Sequence, residues 1–393
     1  MRIGTSALAL FLPLAVHAQL PDSTAFRFFG DVRVRYEGIY EEDVITRQRA
    51  RFRVRAGGEA AFGSRVSVGA RLASGDLDNP LSTNEDLGDM FTHKPIGIDW
   101  AYVTFRPRGN DAIALTGGKF DVLTYRPRAG ILSELLFDDD LSPEGLSERF
   151  TLYRAEEGAI RLAELNLQQW AARESSSDAD AWVLGGQGVL GLSLGGRSRL
   201  TLALADWYVT EADELARALN DNDRLTLTNS VVLEDGQVIR AGIPIDPDPA
   251  NAIRGFATGF NIVNASAELV LGGAARWPLT LFIDVAHNTK ADTENTAWWA
   301  GAGLGALSGA VPLRLSVVWT RTEMDALLSL LNYSEMRRSG GTNTDGLIAQ
   351  LEYLVAPQFA VSARHHVASF VRAPAGVRDR SVHRVQLSAS VAF

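Results

Sequence analysis

Apolar and polar residues alternate one for one along most of this chain. Phe26, Phe28, Val32, Val34 and Tyr36 alternate with Arg27, Asp31, Arg33, Arg35 and Glu37. Ala50, Phe52, Val54 and Ala56 alternate with Arg49, Arg51, Arg53 and Arg55, and Val66, Val68, Ala70 and Leu72 with Arg65, Ser67 and Arg71. A helix would spread these apolar side chains around its circumference, whereas a strand gathers them on one face. The same reading predicts sixteen strands, at 26–37, 47–61, 64–75, 98–106, 111–120, 147–155, 160–173, 179–194, 197–209, 256–271, 276–289, 295–308, 312–323, 343–355, 358–371 and 381–393. Many exceed the ~5–6 residues of an average strand and match the ~9–11 needed to cross a bilayer at a tilt.

The connections sort by parity. Links after odd-numbered strands are mostly long, as at 74–97, 121–146, 210–255 and 324–342. Links after even-numbered strands are tight and rich in turn residues, as at Phe62-Gly63, Gly195-Gly196 and Ala356-Pro357. An even strand number, with short turns on one rim and long loops on the other, is the pattern of a membrane barrel. Short helical patterns fall inside long loops, at Ile131 to Leu136, Glu211 to Leu219 and Met324 to Leu331. In the fifth loop, Val231 to Ile239 flanks Asp235-Gly236, a two-residue hairpin signal. The expected fold class is all-β: a transmembrane antiparallel β-barrel of about sixteen strands.

The first eighteen residues do not belong to that pattern. Arg2, the apolar run from Ala7 to Ala15 and the small residues of Val16-His17-Ala18 read as a signal peptide over 1–18, cut after Ala18. Residues 19–393 are then a single barrel domain, and the expected location is the outer membrane. Composition adds exclusions. The 393 residues carry a formal net charge of −9 and no cysteine. That rules out disulfides, thiolate metal sites and cysteine catalysis. No cofactor is implied, and nucleic acid is not an expected partner of so acidic a chain.

The last strand places Val385, Leu387, Ala389, Val391 and the terminal Phe393 at alternate positions. This resembles the C-terminal insertion signal of outer-membrane barrels, which implies handling by the barrel assembly machinery. A wider likeness runs from Arg47 to Pro107. It is carried by the arginine-rich second strand, Arg71-Leu72-Ala73-Ser74-Gly75, Asn79-Pro80, Ser82-Thr83-Asn84, Leu87-Gly88-Asp89, Ile96-Gly97-Ile98-Asp99 and Ala101-Tyr102. Gly118-Lys119-Phe120, Phe137-Asp138-Asp139-Asp140-Leu141 and Pro143-Glu144-Gly145 continue it. These segments resemble the "putative porin" family of Gram-negative bacteria, with alginate-export-like barrels distantly similar. The resemblance implies a sixteen-stranded type of pore and names no solute.

The candidate chemistry is electrostatic. Arg47, Arg49, Arg51, Arg53 and Arg55 share one face of strand two, with Arg33 and Arg35 beside them on strand one. An arginine on the lipid face costs roughly 2–4 kcal/mol near the midplane, so five would cost on the order of 10–20 kcal/mol. The row must therefore face the lumen, either as a solvated wall or as a ladder that polarises the pore. The third loop carries the opposite sign in Glu134, Asp138, Asp139, Asp140 and Glu144. In general porins the third loop folds inward and sets the constriction. The alternative is an outward loop whose carboxylates hold divalent ions bridging lipopolysaccharide. Acids of the second loop lack the spacing of a calcium loop, so no metal site is expected. Trp100, Trp207-Tyr208, Trp277, Trp298-Trp299 and Tyr353 lie near strand ends, where interfacial girdles form. His365 and His366 point to opposite faces of one strand and cannot share an ion.

Two motifs mislead. Gly191-Leu192-Ser193-Leu194-Gly195 has the letters of a nucleophile elbow, and Gly301 to Gly305 those of a dinucleotide loop; neither leads into the helix such a motif needs. The expected function is a passive diffusion channel for small hydrophilic solutes with weak anion preference, not an enzyme. The competing readings are a plugged barrel serving as adhesin or scaffold, and a barrel hydrolase. Outer-membrane lipid, lipopolysaccharide and other copies of the chain are the expected neighbours.

Overall fold

A computed structural model describes residues 24–393 except 177–178, 221–226, 241, 246–250, 274–276, 309–310 and 339. The signal peptide and its cleavage site lie outside the described residues. The barrel strands among the described residues are β1 (Thr24–Tyr40), β2 (Arg47–Phe62), β3 (Val66–Ser74), β4 (Ile96–Phe105), β5 (Ile113–Lys119), β6 (Glu144–Arg154), β7 (Ile160–Arg173) and β8 (Ala181–Gly195). They continue as β9 (Ser198–Val209), β10 (Phe260–Leu271), β11 (Leu279–Asn288), β12 (Thr296–Ala306), β13 (Leu313–Thr322), β14 (Thr344–Ala356), β15 (Phe359–Phe370) and β16 (Val382–Ala392). Each coincides with an expected segment, with ends within four residues.

Consecutive strands pair antiparallel all the way round, and β1 pairs with β16 from Asp31↔Ala392 to Tyr40↔His383. The sheet is thereby closed and has no free edge in the membrane, where an unpaired backbone group would find no water. Closure ends on a tight contact. The Phe393 N–H donates to the Gly30 carbonyl at 3.0 Å, and the Gly30 N–H donates to the Phe393 carbonyl at 2.9 Å. The Phe393 ring lies against Gly30, where an added Cβ would sit 2.7 Å from the ring and 2.4 Å from the Arg55 carbonyl oxygen. Residue parity sorts the two faces as expected. Phe26, Phe28, Val32, Val34 and Tyr36 are exposed on the outside, while Arg35 and Glu37 between them are buried inside.

The aromatic residues divide by the same parity. Tyr208, Trp277, Trp319 and Tyr353 are exposed on the outer face. Trp207 and Trp299 are instead buried inside, and Trp100 also turns inward, with the Arg71 guanidinium 3.3 Å over its ring. A register shift between Arg71 and Leu72 puts both Asp99 and Trp100 on the inner side of β4.

Described residues of the third loop (120–143), fifth loop (210–259) and seventh loop (323–343) fold into the lumen and share one apolar core. Phe137 packs edge-on against Trp170 and Trp207, with ring centroids 4.9 and 4.7 Å away. Leu215, Leu227, Val231 and Phe256 of the fifth loop join Leu327, Leu330 and Met336 of the seventh in the same cluster. The expected helix at Glu211 to Leu219 is present as α1 (Ala212–Arg217), followed by a 3-10 turn over Ala218–Asn220. The expected hairpin pairs Val231↔Ile239, and Ile253–Phe256 joins it as a third strand. Phe256, expected to open a barrel strand, thus belongs to the loop.

The other two expected helices do not form. Around Gly130, whose φ is 89°, Arg128–Ala129 pairs with Ile131–Leu132 as a miniature hairpin. At 324–331 the Asn229 side chain donates to the carbonyls of Met324 and Leu327, and Asp325 accepts from the Ser230 backbone and hydroxyl. Those carbonyls are held by side-chain donors from another loop instead of by a helical ladder. We expect removal of Phe393, or Gly30→Leu, to reduce the folded barrel in the outer membrane several-fold. The readout is the mobility difference between unboiled and boiled protein on a denaturing gel. A full yield of folded barrel from both variants would show that this seam does not govern assembly.

Candidate functional site

Parity places Arg33 and Arg35 of β1, and Arg49, Arg51, Arg53 and Arg55 of β2, on the inner face. Their charges are met by carboxylates from four different segments. On β1 itself, Asp31 pairs with Arg53 and Arg55 at 2.7 Å each, and Glu37 pairs with Arg49 at 2.5 Å. From the second loop, Asp86 approaches Arg49 at 3.0 Å and Arg51 at 2.8 Å. That loop is held there because β3 stops at Ser74, and Glu85–Asp86 then pair with Phe52 and Arg51 to continue the wall. Arg47 lies at the strand's outer end, more than half exposed, and pairs with Asp86 at 3.4 Å.

The third loop crosses the lumen. On the far wall, the Arg128 N–H donates to Glu268 of β10 at 2.9 Å, and Ser133 Oγ donates to Asp284 of β11 at 2.6 Å. Tyr125 exchanges two hydrogen bonds with the Gln187 side chain of β8. The loop then returns to the arginines. Asp140 lies 3.6 Å from Arg53 and 3.7 Å from Arg55, and accepts from the N–H and hydroxyl of Thr83 at 3.0 and 2.9 Å. Glu144, grouped with these acids in sequence, stands apart: it opens β6 and pairs with Lys119 at 2.9 Å.

The seventh loop supplies a residue the sequence did not single out. Glu335 bonds Arg35 at 3.1 Å and accepts from Gln386 at 3.1 Å and from the Tyr333 hydroxyl at 3.3 Å. Tyr333 in turn contacts the buried His366 at 2.7 Å. His365, on the opposite face, meets His383 outside the barrel. Two further arginines that the sequence did not single out also face inward: Arg364, which donates to Gln350 at 2.6 Å, and Arg384, which pairs with Glu37 at 3.5 Å.

Two small adjoining cavities remain between this wall and the loops. One, of about 180 Å³, is lined by Arg49, Arg51, Arg338 and Arg384 with Glu335. The other, of about 90 Å³, is lined by Arg33, Arg35, Arg53 and Arg364 opposite Glu134, Asp138, Asp139, Asp140 and Glu335. Leu81 and Glu335 line both. The lining thus holds eight arginines and five carboxyls, and the carboxyls are not alike. Burial, with the neighbouring Asp139 charge, pushes Glu134 up to about 8. Burial together with Glu134 and Asp140 pushes Asp138 well above the usual carboxylate range. Asp140 feels the same burial, but Arg53, Arg33 and Arg55 outweigh it and hold the group below its ordinary value. Glu335 is held well down in the same way, by Arg35 and Arg384. The surroundings thus favour the neutral form of Glu134 and Asp138 and the charged form of Asp140 and Glu335. The guanidiniums also keep donors in hand, since Nε of Arg33 and of Arg384 has no hydrogen-bond partner.

Val385, Leu387, Ala389 and Val391 all lie on the outer side of β16, away from these cavities, and Phe393 follows at the seam.

Solved structures with this architecture include OprB of Pseudomonas putida at high pH, 12% identical, covering 94% of each chain with a TM-score of 0.55. Another is OmpF of Salmonella typhi in complex with daunomycin, 9% identical, covering 94% of this chain and 97% of that one with a TM-score of 0.54. At such identities the likeness is one of fold. No curated protein matches the sequence. The model of the family described as "Putative porin" matches residues 39–389, nearly the whole barrel, and the chain belongs to that family of outer-membrane channels.

Proposed function

We propose that this porin is a passive diffusion channel for small hydrophilic solutes, and that the arginine wall of β1 and β2 facing the third loop is its selective constriction. The observation that carries the reading is the charge imbalance of the two cavities. Eight arginines face five carboxyls, of which Glu134 and Asp138 are pushed by burial toward the neutral form. The formal net charge of −9 points the other way, toward cations. Many of those carboxylates lie in the outer loops, and at about 0.15 M salt the Debye length is ~8 Å. A passing ion therefore responds to the local wall, and rings of arginine favour anions. Small carboxylates and phosphate-bearing solutes are the plausible cargo.

The acids of the constriction limit the preference and also place the arginines. Asp31, Glu37 and Asp86 line neither cavity; they neutralise part of the row from behind and fix its geometry. The preference is accordingly weak to moderate. A second reading draws on the apolar core of the third, fifth and seventh loops: a barrel so filled serves as a scaffold or adhesin and conducts little. Insertion by the barrel assembly machinery, contact with lipopolysaccharide and association with further copies belong to either reading. The porin family and fold support the reading of a channel over that of an enzyme.

Conductance of the purified protein in a planar bilayer separates the two readings, and absence of defined channels would favour the scaffold. Reversal potentials across a salt gradient should show native preference for chloride over potassium, and Arg51→Glu with Arg53→Glu should shift it toward cations. A cation-preferring native channel that the double variant leaves unchanged would sink the arginine reading.

The anion preference should also depend on pH. Glu134 is neutral well below pH 8 and anionic well above it, so negative charge enters the constriction as pH rises. The preference should be greater at pH 6 than at pH 9, with a midpoint near 8, and Glu134→Gln should flatten that profile.

Asp139, whose side chain is about half exposed, offers a topological check. A cysteine placed there should react with small thiol reagents that enter the channel and resist bulky impermeant ones. Equal labelling by both would put the third loop outside.

A further inference from the structure

The run Gly301-Ala302-Gly303-Leu304-Gly305, with the letters of a dinucleotide loop, is a stretch of β12 in the barrel wall. Ala302 and Leu304 are exposed on the lipid side. Gly301 and Gly303 occupy successive inward positions, so no side chain rises from the wall there. The ring of Phe282, the β11 partner of Gly301, lies over that glycine, where an added Cβ would sit 2.7 Å from Cδ1. Gly303 is covered by the third loop. An added Cβ would fall 2.7 Å from the Ala129 carbonyl carbon and closer still to its oxygen. Glycine inside a strand often marks a place where another backbone comes close. Gly305, with a φ of 93°, borders Trp277 and Leu313 instead.

The segment seated on Gly303 is the miniature hairpin around Gly130, and it touches four consecutive strands. The Arg128 N–H donates to Glu268 of β10, and Ser133 Oγ donates to Asp284 of β11. Ala129 rests on Gly303 of β12. Gly130 rests on Ser316 and Arg314 of β13, where an added Cβ would be 2.9 Å from Arg314 Cδ. Ala129 and Ile131 are buried in one apolar cluster with Phe282. Contact at the centre is therefore backbone on bare backbone, with polar bonds to either side. From Ser133 the chain runs on to Asp140, which stands 3.6 Å from Arg53 on the opposite wall. In between it is tied to the seventh loop: the Asp138 N–H donates to the Leu331 carbonyl at 2.8 Å, and the Tyr333 N–H to the Glu134 carbonyl at 3.2 Å.

We propose that Gly303, together with Gly130 of the loop, is a positioning residue of the constriction. The bare backbone of β12 is the seat that holds the third loop across the lumen, and through the loop it fixes where Asp139 and Asp140 stand before the arginines. Gly303 is buried beneath the hairpin and acts only through it. The proposal rests on the reading of this loop as the constriction. A packed contact takes added volume by displacement. Valine at 303 would lift the Ala129 carbonyl, and with it the Arg128 and Ser133 bonds, which need the hairpin flush against the wall. A loop freed at its tip keeps only its ties to the seventh loop and to the near wall.

The test compares Gly303→Val with Ala302→Val, which adds similar bulk one residue away on the lipid face. The unboiled-to-boiled gel shift establishes that each variant is folded. In a planar bilayer Gly303→Val should raise single-channel conductance at least 1.5-fold. It should also move the reversal potential toward stronger anion preference, because Asp140 leaves the arginines. Ala302→Val should leave both at native values. A second measurement needs no conduction. With Asp139→Cys as the sole cysteine of the purified barrel, adding Gly303→Val should speed labelling by a bulky impermeant maleimide at least fivefold, and adding Ala302→Val should not. If Gly303→Val does not fold, Gly303→Ala takes its place with the same readouts, since its Cβ already meets the Ala129 carbonyl. Native labelling and native conductance in the folded variant would overturn the proposal and show that the ties to the seventh loop suffice. So would equal changes in Ala302→Val, which would mark a general loosening of the strand. Failure of the constriction reading looks different: labelling speeds up as expected, while conductance and reversal potential stay native.

Discussion

A backbone N–H or C=O that faces hydrocarbon has nothing to bond except another backbone group, and the whole architecture follows from that restriction. Sixteen strands in sequence order satisfy it everywhere except at the first and last. Those two must find each other across the full length of the chain. They do so through the β1–β16 ladder, which ends where Phe393 and Gly30 exchange hydrogen bonds. Once the ring is closed, every second residue is committed to lipid. The charges have only one place to go. The arginines of β1 and β2 and the acids that balance them are inside because closure leaves them no outside.

What occupies the inside divides it in two. Toward β7, β9 and β12, inward-facing Trp170, Trp207 and Trp299 break the usual polar lining of a porin lumen and give the loops something apolar to pack on. Toward β1, β2 and β16 the lining is charged and two small cavities remain. The third loop belongs to both halves. Phe137 sits in the apolar core, and three residues later Asp140 sits on the arginines. The position of the acids is therefore set by hydrophobic packing against tryptophan as much as by attraction to the opposite charge. Interior packing of this kind resists small displacements, so the size of these cavities is set by the packed loops.

The same division accounts for the unequal ionisation of the loop acids. Glu134 and Asp138 face each other and the core, where burial favours the neutral form. Asp140 and Glu335 face guanidiniums, which hold them on the charged side although they too are largely withdrawn from solvent. A count of acidic residues in the third loop would overstate its negative charge. The arginine wall is opposed closely by Asp140 and Glu335, while the acids farther from it, Glu134 and Asp138, are pushed toward the neutral form.

The sequence by itself determined the strands, their order and the face each residue takes. Period-two alternation is a local property, and an arginine on the lipid side costs too much for the register to slip. Hence Arg33 to Arg55, and Leu387 to Val391, could be assigned a side without coordinates. The hairpin at Asp235-Gly236 and the short helix after Glu211 were readable for the same reason, since both depend on a few adjacent residues. The tertiary structure alone decided what the long loops do. Helical spacing at Ile131 and Met324 lost to carbonyls and side chains claimed by distant partners, such as Asn229 and Asp284. Partners of the arginine wall come from remote positions: Glu335 meets Arg35 and Gln386, and Glu37 meets Arg384. No local pattern announces such pairs, because what joins them is the closing of a ring whose ends are more than three hundred residues apart.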